Sequence, residues 1–251
     1  MSDTLNWSNP WAIALTVNIV LLGIAWLLPK KLLTPFGYLN ALVLGILVWG
    51  TLGWQGYLIV MLFFLCGSAI TFVGIERKEA EGIAEERSGT RGAGNVWGSA
   101  LAATICAIAT LFVPAPIKQL FVLGYVASFC TKLSDTTASE VGKAYGKTTY
   151  LITTLKSVPR GTEGAVSLEG TIAGIFASVV LAVIAWLIGM ISSIGIIWCI
   201  VAAFIATTIE SLIGATLESR LSWLTNDLVN FINTVIGAIV AMLLFLITIN
   251  F

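Results

Sequence analysis

Polar residues come in bursts along this chain, and between the bursts run apolar stretches of about 18 residues or more, the length a helix needs to cross roughly 30 Å of hydrocarbon. Eight such stretches predict eight membrane helices, over residues 11–28, 35–51, 54–73, 95–113, 117–134, 171–192, 195–214 and 228–251. The second is short and carries Gly45 and Gly50, so seven spans is the alternative count. The first lies between Pro10 and Pro29, lacks a basic flank before it and a small-residue cleavage site, and reads as a retained helix. The fold class this implies is an all-α polytopic membrane protein with residues 1–251 as one integral domain. Its two longest polar segments, 74–94 and 134–170, become loops on one side.

Every Lys and Arg except Lys118 falls on the same side of these spans. Positive residues collect in short cytoplasmic loops, so that side is expected to be cytoplasmic and both termini non-cytoplasmic. The acids segregate with the bases, although insertion gives Asp and Glu little weight. A polar active face at one membrane surface explains this better than topology alone.

Composition narrows the chemistry. The chain is 58% hydrophobic, only 10% charged and formally neutral, which excludes a bulk basic field for nucleic acid. It has no His, removing the usual general base, the Ser-His and Cys-His dyads and most catalytic zinc sites. Each of the four Cys stands alone in an apolar run and reads as packing.

Three polar segments remain as candidate chemistry. On a helix continuing from the fifth span, Asp135, Ser139, Gly142 and Gly146 share one face at spacings of four, three and four. Lys143 and Lys147 flank that face, and the next loop brings Lys156, Arg160, Gly161, Glu163 and Gly164. Cations and backbone donors for phosphate oxygens, with a hard carboxylate for Mg²⁺, are what a nucleotide site needs. Gly142 and Gly146 equally suit helix packing, where small residues four apart are common in membranes. No GxxxxGK[ST] signature is present, which argues against a P-loop. Second, Glu210 lies inside the seventh span, with Gly214 and Glu218 on its face, and an intramembrane carboxylate is by default a functional residue. Asn226, Asp227 and Asn230 follow at the mouth of the last span, where capping is their other role. Third, Arg87 and Arg91 precede Asn95 at the start of the fourth span and suit bidentate phosphate binding or the ordinary positive-inside signal.

The segments SDTTASEVGKAYGK and KSVPRGTEGAVSLEG resemble the nucleotide-site pattern of CTP-using membrane lipid enzymes, the dolichol and phytol kinases and phosphatidate cytidylyltransferases. With EERSGTRGAGNVWGS, IESLIGATLES and NDLVN added, the chain from about Gly74 onward resembles the transmembrane protein nineteen family, which includes the phytyl-phosphate kinase of vitamin E (tocopherol) synthesis. The resemblance implies transfer of a γ-phosphoryl group from CTP to phytyl or another isoprenyl monophosphate, with Mg²⁺ as cofactor, in the plasma or thylakoid membrane. It further implies that Asp135, with Glu210 or Asp227, holds the metal, that Asp135, Lys156 and Glu210 are catalytic, and that Ser139, Gly142, Lys143, Gly146, Lys147, Arg160, Gly161, Glu163 and Gly164 bind nucleotide. Arg87, Arg91 and Asn95 would take the acceptor phosphate. The rival expectations are a phytol or polyprenol kinase, a CDP-lipid cytidylyltransferase, and a transporter with Asp135 and Glu210 along an ion path.

Overall fold

The computed structural model describes residues 9–249 apart from 219 and 222. Eight helices are seen among these: α1 (Pro10–Leu27), α2 (Pro35–Thr71), α3 (Ile75–Ala80), α4 (Ala93–Ala109), α5 (Ala115–Tyr145), α6 (Leu168–Leu187), α7 (Ser193–Ile213) and α8 (Asn226–Ile249). A 3₁₀ turn at Glu86–Gly89 precedes α4, and a π turn at Gly214–Glu218 extends α7. The last two residues of the eighth predicted span lie outside the described residues.

Helix starts follow from local chemistry. Asn9, Thr34, Ser167 and Ser192 each stand just ahead of a helix and accept a backbone N–H from its first turn, satisfying a donor that the helix cannot. Pro10 and Pro35 occupy first helical positions, where the absent N–H costs nothing.

The second and third predicted spans form one continuous run, α2, broken at Gly53 (φ 65°, ψ −160°). That break is a hairpin. A Cβ on Gly37 would lie 2.6 Å from the Arg91 carbonyl oxygen, and one on Gly67 would lie 2.7 Å from Arg91 Nη2. A straight helix would hold Gly37 and Gly67 about 45 Å apart, far beyond the reach of one arginine. The two arms therefore return side by side, and the ring of Trp49 meets that of Tyr57 at 5.1 Å across the turn. Only glycine adopts this backbone readily, so the division of α2 into two arms depends on one residue.

Five helices, α1, α2, α6, α7 with its π turn, and α8, are long and apolar enough to span a membrane, and α4 is a shorter apolar helix. α5 is too polar to stand among them, and the bundle explains why. It is the central helix, packed by α2, α4, α6, α7 and α8, and residues 122–135 are all buried. Lipid meets the outer helices, so the polar groups of α5 face protein. α1 lies against the first arm of α2, where Gly45 receives Asn18; the Asn18 amide is satisfied by Ala14 O and by the Tyr57 hydroxyl. Cys106, Cys130 and Cys199 are buried as expected of packing residues, whereas Cys66 is exposed; all four are free thiols.

Candidate functional site

α5 runs eleven residues past the predicted end of its span, to Tyr145. This extension carries the polar face into a cavity of about 700 Å³ walled by α4, α5, α6, α7, α8 and the loops around residues 82–91 and 161–167. At its floor Lys132 Nζ donates to Asp135 Oδ2 at 2.5 Å and to Asn230 Oδ1 at 2.6 Å. Asn230 in turn donates to Asn226 Oδ1 at 3.2 Å. Glu210 of α7 stands beside Asp135, within the field of Lys132. Asp135 is thus paired with a buried ammonium while Glu210 stands within the field of both, an arrangement in which each charge interacts more strongly than in bulk water.

The α4 wall is tied to α8 by Asn95, whose Nδ2 donates to Asp227 Oδ1 at 3.0 Å while its Oδ1 accepts the Gly92 N–H. Gly94 and Gly98 leave the space that Asp227 fills. Arg91 lines the same cavity with its guanidinium over the rings of Phe63 and Phe64. Desolvation, opposed by the nearby Glu85 charge, lowers its pKa to about 10. An arginine held this way is a poorly hydrated cation, suited to a phosphate.

Two loops roof the cavity. Residues 146–167 make a small flap, in which β1 (Tyr150–Leu151) and β2 (Ala165–Val166) pair antiparallel. Gly161 (φ 81°) rests on Ile83 of the loop after α3, and Arg160 Nη2 reaches Glu81 Oε1 at 2.7 Å, fastening flap to loop. Gly164 (φ 72°) lies so close to the end of α7 that a Cβ would come within 2.5 Å of Ser211 O.

The cavity therefore gathers Asp135, Glu210, Asp227, Ser139, Gly142, Lys143, Gly161, Glu163, Gly164, Arg87, Arg91 and Asn95. It does not gather every residue named from the sequence. Gly146, Lys147 and Arg160 line a neighbouring cavity of about 360 Å³ that meets the first at Thr149. Lys156 is exposed and lines neither. The space over Gly142 and Gly146 is taken by Ser167, the cap of α6, so helix packing accounts for both glycines. Nor do Asp135, Glu210 and Asp227 form one cluster: among the described residues no three His, Cys, Asp or Glu side chains stand close enough to share an ion, and Asp227 is engaged by Asn95.

Sequence reasoning missed Lys78 and Glu140. Lys78 of α3 is completely buried, donates to Thr71 O at 2.8 Å and pairs with Glu140 of α5. Glu140 lines the cavity and lies 3.6 Å from Lys143 Nζ. Glu140 and Lys143 are one helical turn apart, a spacing visible in the sequence; its pairing with Lys78, 62 residues away, is not.

Residues 18–238 match the integral membrane proteins DUF92. The chain belongs to that family. The resemblance drawn from its motifs thus holds at the family level. An uncharacterized membrane protein of Synechocystis is 60% identical over 92% of this chain and 90% of its own length. Protein VTE6, chloroplastic, of Arabidopsis thaliana is 46% identical over 94% of this chain and 72% of its own length. An uncharacterized membrane protein of Methanocaldococcus jannaschii is 30% identical, covering 93% and 95% respectively. No solved structure matches.

Proposed function

We propose that this protein is a membrane phosphotransferase that moves the γ-phosphoryl group of CTP onto phytyl or a similar isoprenyl monophosphate, giving the diphosphate. The observation that carries the reading is the convergence of Arg87, Arg91, Lys132 and Lys143 with Asp135 and Glu210 in one cavity inside a membrane bundle. The 46% likeness to VTE6, a chloroplast protein, agrees with a plastid-type or cyanobacterial membrane as its setting.

A phosphate monoester has a second pKa of about 6 and is an anion near neutrality, so it needs no base to attack. The lack of His is then no obstacle. The work left to the protein is positioning and charge neutralisation, which dominate phosphoryl transfer. Arg91 and Arg87, at the α4 end, hold the acceptor phosphate. Lys143, steadied by Glu140, and the Gly161–Gly164 turn meet the nucleotide phosphates. Lys132 holds Asp135 in place and offsets the two carboxylate charges.

Mg²⁺ keeps several waters and binds through one or two carboxylates plus substrate phosphates. Asp135 and Glu210 match that donor set, and Asn226 adds a carbonyl oxygen at the same floor. Magnesium held there would draw charge from the transferring phosphoryl group. Lys156 and Arg160 fall outside this scheme, because one is exposed away from the cavity and the other is bound to Glu81.

The test is transfer of label. Purified protein in lipid vesicles with Mg²⁺ and γ-labelled CTP should label phytyl phosphate, and Asp135→Asn should abolish it. Label entering phytol instead would make the protein an alcohol kinase. Label reaching lipid only from α-labelled CTP would make it a cytidylyltransferase, and no transfer from either would refute nucleotide chemistry on these acceptors.

A further inference from the structure

Resting on the phosphotransferase reading, we propose that the cavity opens sideways into the membrane between α6 and α7, and that the isoprenoid chain of the acceptor lies in this opening against Ile175 and Phe204. Both residues line the cavity. Phe204 is also 47% exposed on the outer surface of the bundle, so it borders the cavity and the lipid at once. On α7 the cavity is lined by Phe204, Thr207 and Thr208 at its deeper end and by Glu210 and Ser211 nearer the helix end.

The threonines there are apolar in effect. Thr207 Oγ1 donates to Ala203 O at 2.9 Å and Thr208 Oγ1 to Phe204 O at 2.7 Å, so the hydroxyls are spent on their own helix and methyl groups remain for a ligand. Thr171 on α6 bonds to Ser167 O in the same way. Depth agrees: Phe204 is about 14 Å from the end of α7 at Ile213, and Ile175 about 10 Å from the start of α6 at Leu168. This end of the cavity is within the hydrocarbon layer, where a water-soluble ligand has no use for a wall.

Volume gives the second argument. A cavity of about 700 Å³ is the size that encloses one drug-sized ligand. With a nucleotide in it, a long isoprenoid chain has to leave through the side. An anionic head drawn to Lys132 and Arg91, with a flexible apolar tail led out past Phe204, matches the polarity gradient along the cavity.

Two measurements test this. First, the full chain in phosphatidylcholine vesicles is irradiated with an isoprenoid monophosphate carrying a diazirine on its tail, and adducts are mapped by mass spectrometry. The expected adducts fall on residues 172–176 and 201–208 and are competed by phytyl phosphate; equal labelling of Leu39 and Ile24, on the exposed face of α2 and α1, would overturn the doorway. Second, Ile175→Trp narrows the opening. It is expected to raise KM for phytyl phosphate by about tenfold, the scale of discrimination in an apolar pocket, and to lower kcat/KM for phytyl relative to dimethylallyl monophosphate by the same factor. An unchanged ratio would also overturn the proposal. The labelling needs no turnover, so adducts at α6 and α7 without phosphate transfer would refute the phosphotransferase reading and keep the doorway, whereas transfer with adducts elsewhere would do the reverse.

Discussion

Replacing Lys78 by Met should destabilise the protein sharply although Lys78 does not itself line the cavity. Its ammonium is fully buried and makes two contacts, to Thr71 O and to the Glu140 carboxylate, which is itself only 4% exposed. Methionine matches the stem in length but leaves Glu140 charged, buried and without its main partner. Breaking one side of a buried pair costs about 3–5 kcal/mol. Lys143, 3.6 Å from the other Glu140 oxygen, supplies partial compensation, so the lower end, about 3 kcal/mol, is expected. At roughly 2–4 °C per kcal/mol for a chain of this size, melting in detergent should fall by about 6–12 °C. The double variant Lys78→Met with Glu140→Leu removes both charges and should recover much of the loss, because apolar replacement of a whole buried pair is often neutral. A double-mutant cycle followed by thermal unfolding measures the coupling. A single Lys78→Met within about 1 kcal/mol of wild type, or losses that simply add in the double variant, would refute the buried-pair reasoning.

Four further outcomes follow from particular residues. Gly164→Ala forces a side chain at φ 72° against Ser211 O; it should push the flap off the end of α7, raise KM for the nucleotide in the transfer assay and lower the melting temperature, with a strain of about 1–3 kcal/mol. Lys156→Ala should alter kcat/KM by less than about twofold, as surface positions without partners usually do, whereas Lys143→Ala should lower it by about tenfold or more, the loss of one charge-assisted phosphate contact. Gly53→Ala should cost about 1–3 kcal/mol in melting experiments, because alanine resists the backbone at the α2 hairpin; an unchanged melting temperature would mean that the turn can form another way.

The apolar spans and the one-sided charge were legible in the sequence because each is a local property, and the helix caps seen in the structure are equally local. A run of Leu, Ile and Val declares a membrane helix whatever it packs against, and Thr34 or Ser167 caps a helix through atoms three residues away. Asp135 and Glu210 could be singled out for the same reason: a carboxylate in or beside an apolar span is conspicuous. Which candidates meet was decided only by tertiary structure. Asn95 finds Asp227 across 132 residues, and Arg160 finds Glu81 across 79; the second contact turns an expected phosphate ligand into a clasp. Lys156 is the residue type a phosphate site uses but sits exposed in the segment after β1, and no spacing rule reveals which way a loop faces. Gly142 and Gly146 fit a ligand or a neighbouring helix equally well until Ser167 is seen to fill the space. Hydrophobic pattern fixes which segments enter the membrane, since burial there depends on each segment's own side chains. The rotation and pairing of the helices depend on how all their surfaces pack together, and it is that packing which assembles the cavity.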